Sequence, residues 1–305
     1  MNDTRGSNGS GALWSPHLVE TLVMDPWTFH AVADARFIAD GGVTFSMVPR
    51  SLWERETTVI EGNSIPLRVG VLLMERPGLR VVIDTGFGTQ GVPRNISGFF
   101  GGLSATGGLA RALQLLDWDP GSVTHLVLTH LHVDHAGGIF DGHDRPSFPN
   151  ATVIVAAREL RYALDPHPLR GPVYDSRAAR LLAASDKLMP VGHLPELVLP
   201  GVDVRLLGGH SPGQLGIVIH GDTRSLLVPG DVLPTRAHRR PRWVLSYDQD
   251  PSRVYEVRRS LGHRAMALNW LVHFGHDPMV AFGRIRPGGE VEVVATEGRG
   301  SVDRT

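Results

Sequence analysis

Apolar residues fall at two different spacings along this chain, and the spacing switches back and forth. Alternating or short continuous apolar runs mark strands, and apolar positions three and four apart mark helices. Strand-like runs cover 67–75 and 79–83, joined as a hairpin at Pro77 and Gly78, then 123–129, 151–155, 217–220, 225–228, 280–285 and 291–295. Residues 197–207 read as a strand pair or one bent strand, and a run from 270 leads to Gly275 and His276. The run at 43–48 also reads as a strand, entering a loop closed by Pro49. Helical spacing occupies 109–116, 158–164, 176–188 and 251–266, with Pro166, Pro168 and Pro172 breaking the chain between the second and third. Strands cluster in both halves with helices outside them. The expected class is therefore α+β, two face-packed mixed sheets flanked by helices, as a single domain over 13–296. Residues 1–12 read as a disordered tail and 297–305 as a polar C-terminal tail. Residues 13–37, with Trp14, Trp27 and Phe29 among prolines and charges, read either as a packing arm or as part of a substrate wall.

Charge and composition narrow the partners. The 30 basic and 31 acidic residues are scattered, for a net charge of −1, which gives no electrostatic reason to expect a nucleic acid. No apolar run approaches the ~18 residues that a membrane span needs, and the leading residues carry no apolar core of signal-peptide length, so a cytoplasmic protein is expected. The chain has no cysteine, which removes disulfides, thiolate ligands and a thiolate nucleophile; a hydrolase of this composition has to use water. Apolar surface on the N-terminal arm is the candidate contact for a homodimer.

Candidate chemistry concentrates just after the run at 123–129, where His130, His132, Asp134 and His135 lie within six residues. On an extended chain His130 and His132 share a face, and a bend aided by Gly137 and Gly138 brings Asp134 and His135 toward a second position. Neutral imidazoles and carboxylates suit zinc, iron or manganese. His210 after Gly208 and Gly209, Asp231 after the run at 225–228, and His276 each follow a strand in the same manner.

The HxHxDH pattern of His130, His132, Asp134 and His135 resembles the signature of the metallo-β-lactamase superfamily, and four further pieces match in order. Asp84 in the run 82–86 is similar to an early strand-end motif, His210 to a third-histidine loop, Asp231 to a bridging aspartate and His276 to a last histidine. The resemblance spans about residues 32–296. It implies an αββα sandwich with the site at one edge. By carry-over His130, His132 and His210 hold one divalent ion, Asp134, His135 and His276 a second, and Asp231 bridges them, with zinc expected and iron or manganese as alternatives. Such a centre supplies a metal-bridging hydroxide for attack on a small ester, with Asp134 or Asp231 returning the proton to the leaving oxygen. Asp84 is implied to orient a histidine.

The phrase from Gly41 and Gly42 to Trp53 is similar to a branch that holds N-acyl-homoserine lactonases and methyl parathion hydrolases, so a lactone is the expected substrate, with a phosphotriester or thioester as alternatives. Several of those lactonases place a tyrosine three residues after the bridging aspartate; here that position is Pro234, and Tyr247 or His238 has to stand in for it. His238 is otherwise a candidate rim residue for substrate contact or proton shuttling. Strand parity sets His125 and His273 aside. Residues 165–190 fall where such lactonases carry substrate-contacting elements. A di-iron redox protein needs an appended flavin domain that this length does not hold, and a silent binding protein would lack a ligand, whereas all seven positions are filled.

Overall fold

In the computed structural model, which describes residues 12–94, 96–104, 106–192 and 196–301, strand parity divides the interior into layers. One sheet is built from β1 (His17–Met24), β2 (Trp27–Asp40), β3 (Ser64–Arg76), β4 (Leu79–Ile83), β5 (His125–Val127), β6 (Thr152–Ala156) and β7 (Leu188–Val191). The other is built from β8 (Glu196–Leu199), β9 (Val202–Leu206), β10 (Leu215–His220), β11 (Ser225–Val228), β12 (Leu271–His273), β13 (Phe282–Ile285) and β14 (Val291–Val293). A last strand, β15 (Glu297–Ser301), returns to the edge of the first sheet beside β1. Spatially the orders are β15-β1-β2-β3-β4-β5-β6-β7 and β14-β13-β12-β11-β10-β9-β8. Both sheets are mixed, with parallel pairing from β4 to β7 and between β11 and β12.

Alternate residues serve two cores, as the pleat requires. Val81 and Ile83 of β4, Val127 of β5 and Ile154 of β6 face Ile217 and Ile219 of β10 and Leu226 and Val228 of β11 in the layer between the sheets. Their neighbours Val82, Leu126 and Val153 point the other way, toward α3 (Gly108–Leu115), α5 (Ala157–Leu164) and α6 (Ser176–Ala183). Val218 and Leu227 likewise meet α7 (Pro251–Ala267) on the far side of the second sheet. The result is the expected αββα sandwich.

Several local expectations change. The run at 43–48 is not a strand: α1 (Gly41–Phe45) forms because the Asp40 side chain caps the Val43 amide, and Pro49 opens α2 (Arg50–Trp53). Phe45 and Trp53 then stack at 5.2 Å inside the core, which outweighs the β-leaning local sequence. The third expected helix stops at Ala183, and 188–191 is strand β7. The leading segment packs into the fold as the arm reading expected: it is β1 and β2, with Trp27 and Phe29 buried in the chain's own core. The expected polar tail from 297 is β15, an edge strand paired with β1, whose exposed side chains leave no apolar pattern to read. The tail expected at 1–12 lies outside the described residues except for Ala12, as do 302–305. Among the described residues no helix is long and apolar enough to cross a membrane.

Candidate metal centre

The chain reaches one edge of the sandwich five times at the ends of β4, β5, β9, β11 and β12, and each arrival delivers a histidine or aspartate. β5 ends at Val127, so His130 and His132 lie in an extended connection and not in the strand itself. α4 (Val133–Ala136) starts directly after His132 and carries Asp134 and His135 in its single turn. Gly138 lets that turn pack against the β4 end: a Cβ there would stand 2.7 Å from the Thr85 carbonyl oxygen. Gly209, at φ 93°, turns the chain after β9 and aims His210 back at the same place.

The seven candidate ligands converge in three overlapping groups: His130, His132 and His210; His130, His135 and Asp231; Asp134, His135 and His276. His132 Nδ1 is 3.0 Å from His130 Nε2 and 3.1 Å from His210 Nε2, and His135 Nε2 is 3.1 Å from His276 Nε2. Asp231 Oδ1 lies 3.0 Å from His276 Nε2 and 3.3 Å from His135 Nε2, while its Oδ2 lies 3.4 Å from His210 Nε2. Asp134 Oδ2 stands 3.6 Å from His135 Nε2 and 3.8 Å from His276 Nε2.

Partners on the outer side of four of the five rings fix their tautomers. His135 Nδ1 donates to Asp84 Oδ2 at 2.9 Å, His210 Nδ1 to Asp248 Oδ1 at 2.9 Å, and His276 Nδ1 to the Arg68 carbonyl at 2.7 Å. Thr129 Oγ1 gives its proton to Asp84 and so accepts from His130 Nδ1 at 3.1 Å. A neutral imidazole with Nδ1 protonated has its lone pair on Nε2. Four Nε2 lone pairs therefore point inward within hydrogen-bond distance of other nitrogens or of carboxylate oxygens, joined by His132 Nδ1, whose ring has no partner on its outer Nε2. Lone pairs facing one another at about 3 Å repel unless a cation lies among them. Donor atoms about a tetrahedral ion with bonds of about 2.0–2.1 Å stand about 3.3 Å apart, which these separations match. The donor set fits divalent cations.

Burial pushes His130 and His132 well below the ordinary imidazole value, with neighbouring histidines adding to the effect. Burial also pulls on His135, but Asp231, Asp134 and Asp84 outweigh it and lift that ring well above its usual value, so in the ion-free protein a proton occupies the Nε2 position that a bound cation would take. Asp231 is held far below the carboxylate range, because His276, His135 and His210 overcome the cost of burying it.

Asp84, expected to orient a histidine, accepts from His135 and from both the amide and hydroxyl of Thr129. Tyr247 stands edge-on to His210 with ring centroids 5.7 Å apart, and burial together with Asp231 and Asp134 raises its hydroxyl well above 10. His238 is a correction. It is fully buried, stacked on Phe45 at 5.2 Å, with Nε2 donating to the Thr44 carbonyl and Nδ1 accepting from Thr235. Both nitrogens are engaged away from any rim, and burial takes the ring down to about 3. His125 is half-buried beside Thr124, and His273 is buried against Phe282; neither joins the cluster. Sequence reasoning missed Asp248, which sits 38 residues from the ring it touches and, read locally, is one of two aspartates before α7.

The comparisons agree with this geometry. The family model for the metallo-beta-lactamase superfamily matches residues 66–276. An N-acyl homoserine lactonase AttM of Rhizobium radiobacter is 33% identical over 72% of this chain and 86% of its own. A probable metallo-hydrolase of Mycobacterium tuberculosis is 28% identical over 70% of this chain and 76% of its own. Among solved structures, a probable metal-dependent hydrolase from Staphylococcus aureus superposes with TM-score 0.82 at 24% identity, covering 91% of this chain and 99% of that one. AidC, a dizinc quorum-quenching lactonase, does so with TM-score 0.76 at 18% identity, covering 94% and 100%. With the family model covering most of the sandwich and the histidines of the motif meeting at its edge, the chain belongs to the metallo-beta-lactamase superfamily and is one of its metal-dependent hydrolases.

Proposed function

We propose that this protein is a dinuclear lactonase: it holds two divalent cations, expected to be zinc, and opens the ring of a small lactone of the N-acyl-homoserine type. The observation that carries the two-ion reading is the placement of Asp231, whose Oδ1 faces His135 and His276 while Oδ2 faces His210. One subsite is then His130, His132 and His210, the other Asp134, His135 and His276, with Asp231 shared. When bound, the ions supply hydroxide near neutral pH and polarise the substrate carbonyl. Asp84, Asp248 and the Arg68 carbonyl hold the Nε2 atoms inward. Tyr247 stays protonated and donates a hydrogen bond to the substrate oxygen, taking the part that Pro234 cannot. Asp134, with 16% side-chain exposure against 6% for Asp231, is the carboxylate that carries the proton to the leaving oxygen, because it reaches both the cluster and solvent. The lactonase relatives support the lactone over other esters.

The test is hydrolysis by purified, metal-quantified protein of a matched panel of acyl-homoserine lactones, an aryl ester, a phosphotriester and a thioester, with Asp134→Ala as control. Preference for the lactones, lost in the control, is the expected result. Preference for the phosphotriester or the thioester would replace the substrate, and no turnover on the panel would overturn the lactonase reading.

A further inference from the structure

Glu159 lies on α5, outside every motif that singles itself out in the sequence, and it is completely buried. Its Oε1 accepts from the Leu131 amide at 3.1 Å and from the Tyr174 hydroxyl at 3.1 Å. Oε2 accepts from Ser211 Oγ at 2.8 Å and from the Gly213 amide at 2.7 Å. Leu131 sits between His130 and His132, and Ser211 directly follows His210. Tyr174 places its ring edge on His132, centroids 4.8 Å apart. A single carboxylate thus grips the backbone or next-door side chain on either side of the three-imidazole cluster and touches none of the imidazoles.

The packing shows how closely these parts are set. A Cβ at Gly213 would fall 2.3 Å from Glu159 Cβ, so α5 and the His210 loop meet backbone to backbone. Burial raises the Glu159 carboxyl above its usual value, while the four donors pull it back. No cationic side chain is among the partners with which it hydrogen-bonds. An apolar side chain would fill the same space without desolvating a charge, but it would leave two buried backbone amides without acceptors and let two loops move independently.

We propose that Glu159 is a positioning residue for the cation subsite of His130, His132 and His210, locking the His130–His132 connection to the His210 loop; the proposal rests on the two-cation reading above. The substitution Glu159→Gln keeps the size and turns one acceptor oxygen into an amide NH2 that faces two donors. The measurement is calorimetric titration of metal-free protein with Zn(II), alongside thermal unfolding of the same metal-free samples. Wild type is expected to bind in two steps, and Glu159→Gln to weaken one of them by about 10–100-fold while leaving the other in place. A merely structural role would lower the unfolding temperature and shift both steps equally or neither, and that result overturns the proposal. Ser211→Ala, which removes one of the four donors, is expected to weaken the same step by less. If Glu159→Gln does not fold, an unchanged isotherm in Ser211→Ala overturns the proposal. Single-step binding by the wild type would instead overturn the two-cation reading.

Discussion

His130, His132 and His210 converge without a carboxylate of their own, whereas His135 and His276 share their cluster with Asp134, and Asp231 reaches both groups. The two clusters are also held from different parts of the fold. His210 in the first is fixed by Asp248, which itself accepts from the Leu245 amide in the segment before α7. His135 in the second is fixed by Asp84 at the end of β4, and His276 by a carbonyl of β3. His210 thus draws support from the second sheet's loops and His135 and His276 from the first sheet, while Asp84 also reaches His130 through Thr129. If the two clusters hold separate cations as proposed, substitutions at supports that touch one cluster alone, such as Asp248, should separate them.

The largest effect is expected where the comparison collapses. Asp231→Ala removes the group common to both clusters, so both cation-binding steps should weaken and turnover should fall by more than the about 10–100-fold typical of losing an orienting partner. Titration and kcat/KM on one sample check this; loss of a single step would contradict it. Next come the supports. Asp248→Asn should weaken one step by about 10–100-fold and leave the other, whereas Asp84→Asn should weaken chiefly the other and, through Thr129 and His130, the first by less. Identical isotherms for the two single variants would erase the distinction between the clusters.

The smallest effect on either cluster should come from Asp34, which is fully buried and accepts from the Phe87 and Leu109 amides. Burial pushes its carboxyl up to about 6 against those amides and Arg111. Its folded value lies above its unfolded one, so the folded state holds the proton more tightly and loses stability as pH rises between roughly 4 and 6. Relative to Asp34→Asn, wild type should lose at most about 3 kcal/mol across that window and nothing further above it. Chemical unfolding of both proteins from pH 4 to 7.5 reads the difference, and a flat difference would refute it.

The candidate ligands were legible because each stands next to a local feature that sequence displays: an apolar run that ends, a glycine that permits a turn, a histidine or aspartate immediately after. The hairpin at Pro77 and Gly78, α3 and α7 were legible by the same spacing rules. Partners joined across the fold were not. Glu159 and Asp248 look like ordinary helix and turn residues until α5 and the 243–250 segment dock. His238 read as a rim residue because it follows Asp231 closely in a basic loop, yet Arg239 and Arg240 both pair with Glu56, more than 180 residues earlier, and the ring beneath is sealed. β15 escaped because backbone pairing with β1, and not side-chain burial, holds it.

Whether one aspartate joins two distinct cation subsites is read most directly from the number of divalent cations bound per chain by metal-free wild type and by Asp134→Ala. Two separable steps are expected in the wild type and one in the variant, with the surviving step at wild-type affinity. One cation in the wild type, or two in the variant, would contradict the two-subsite reading.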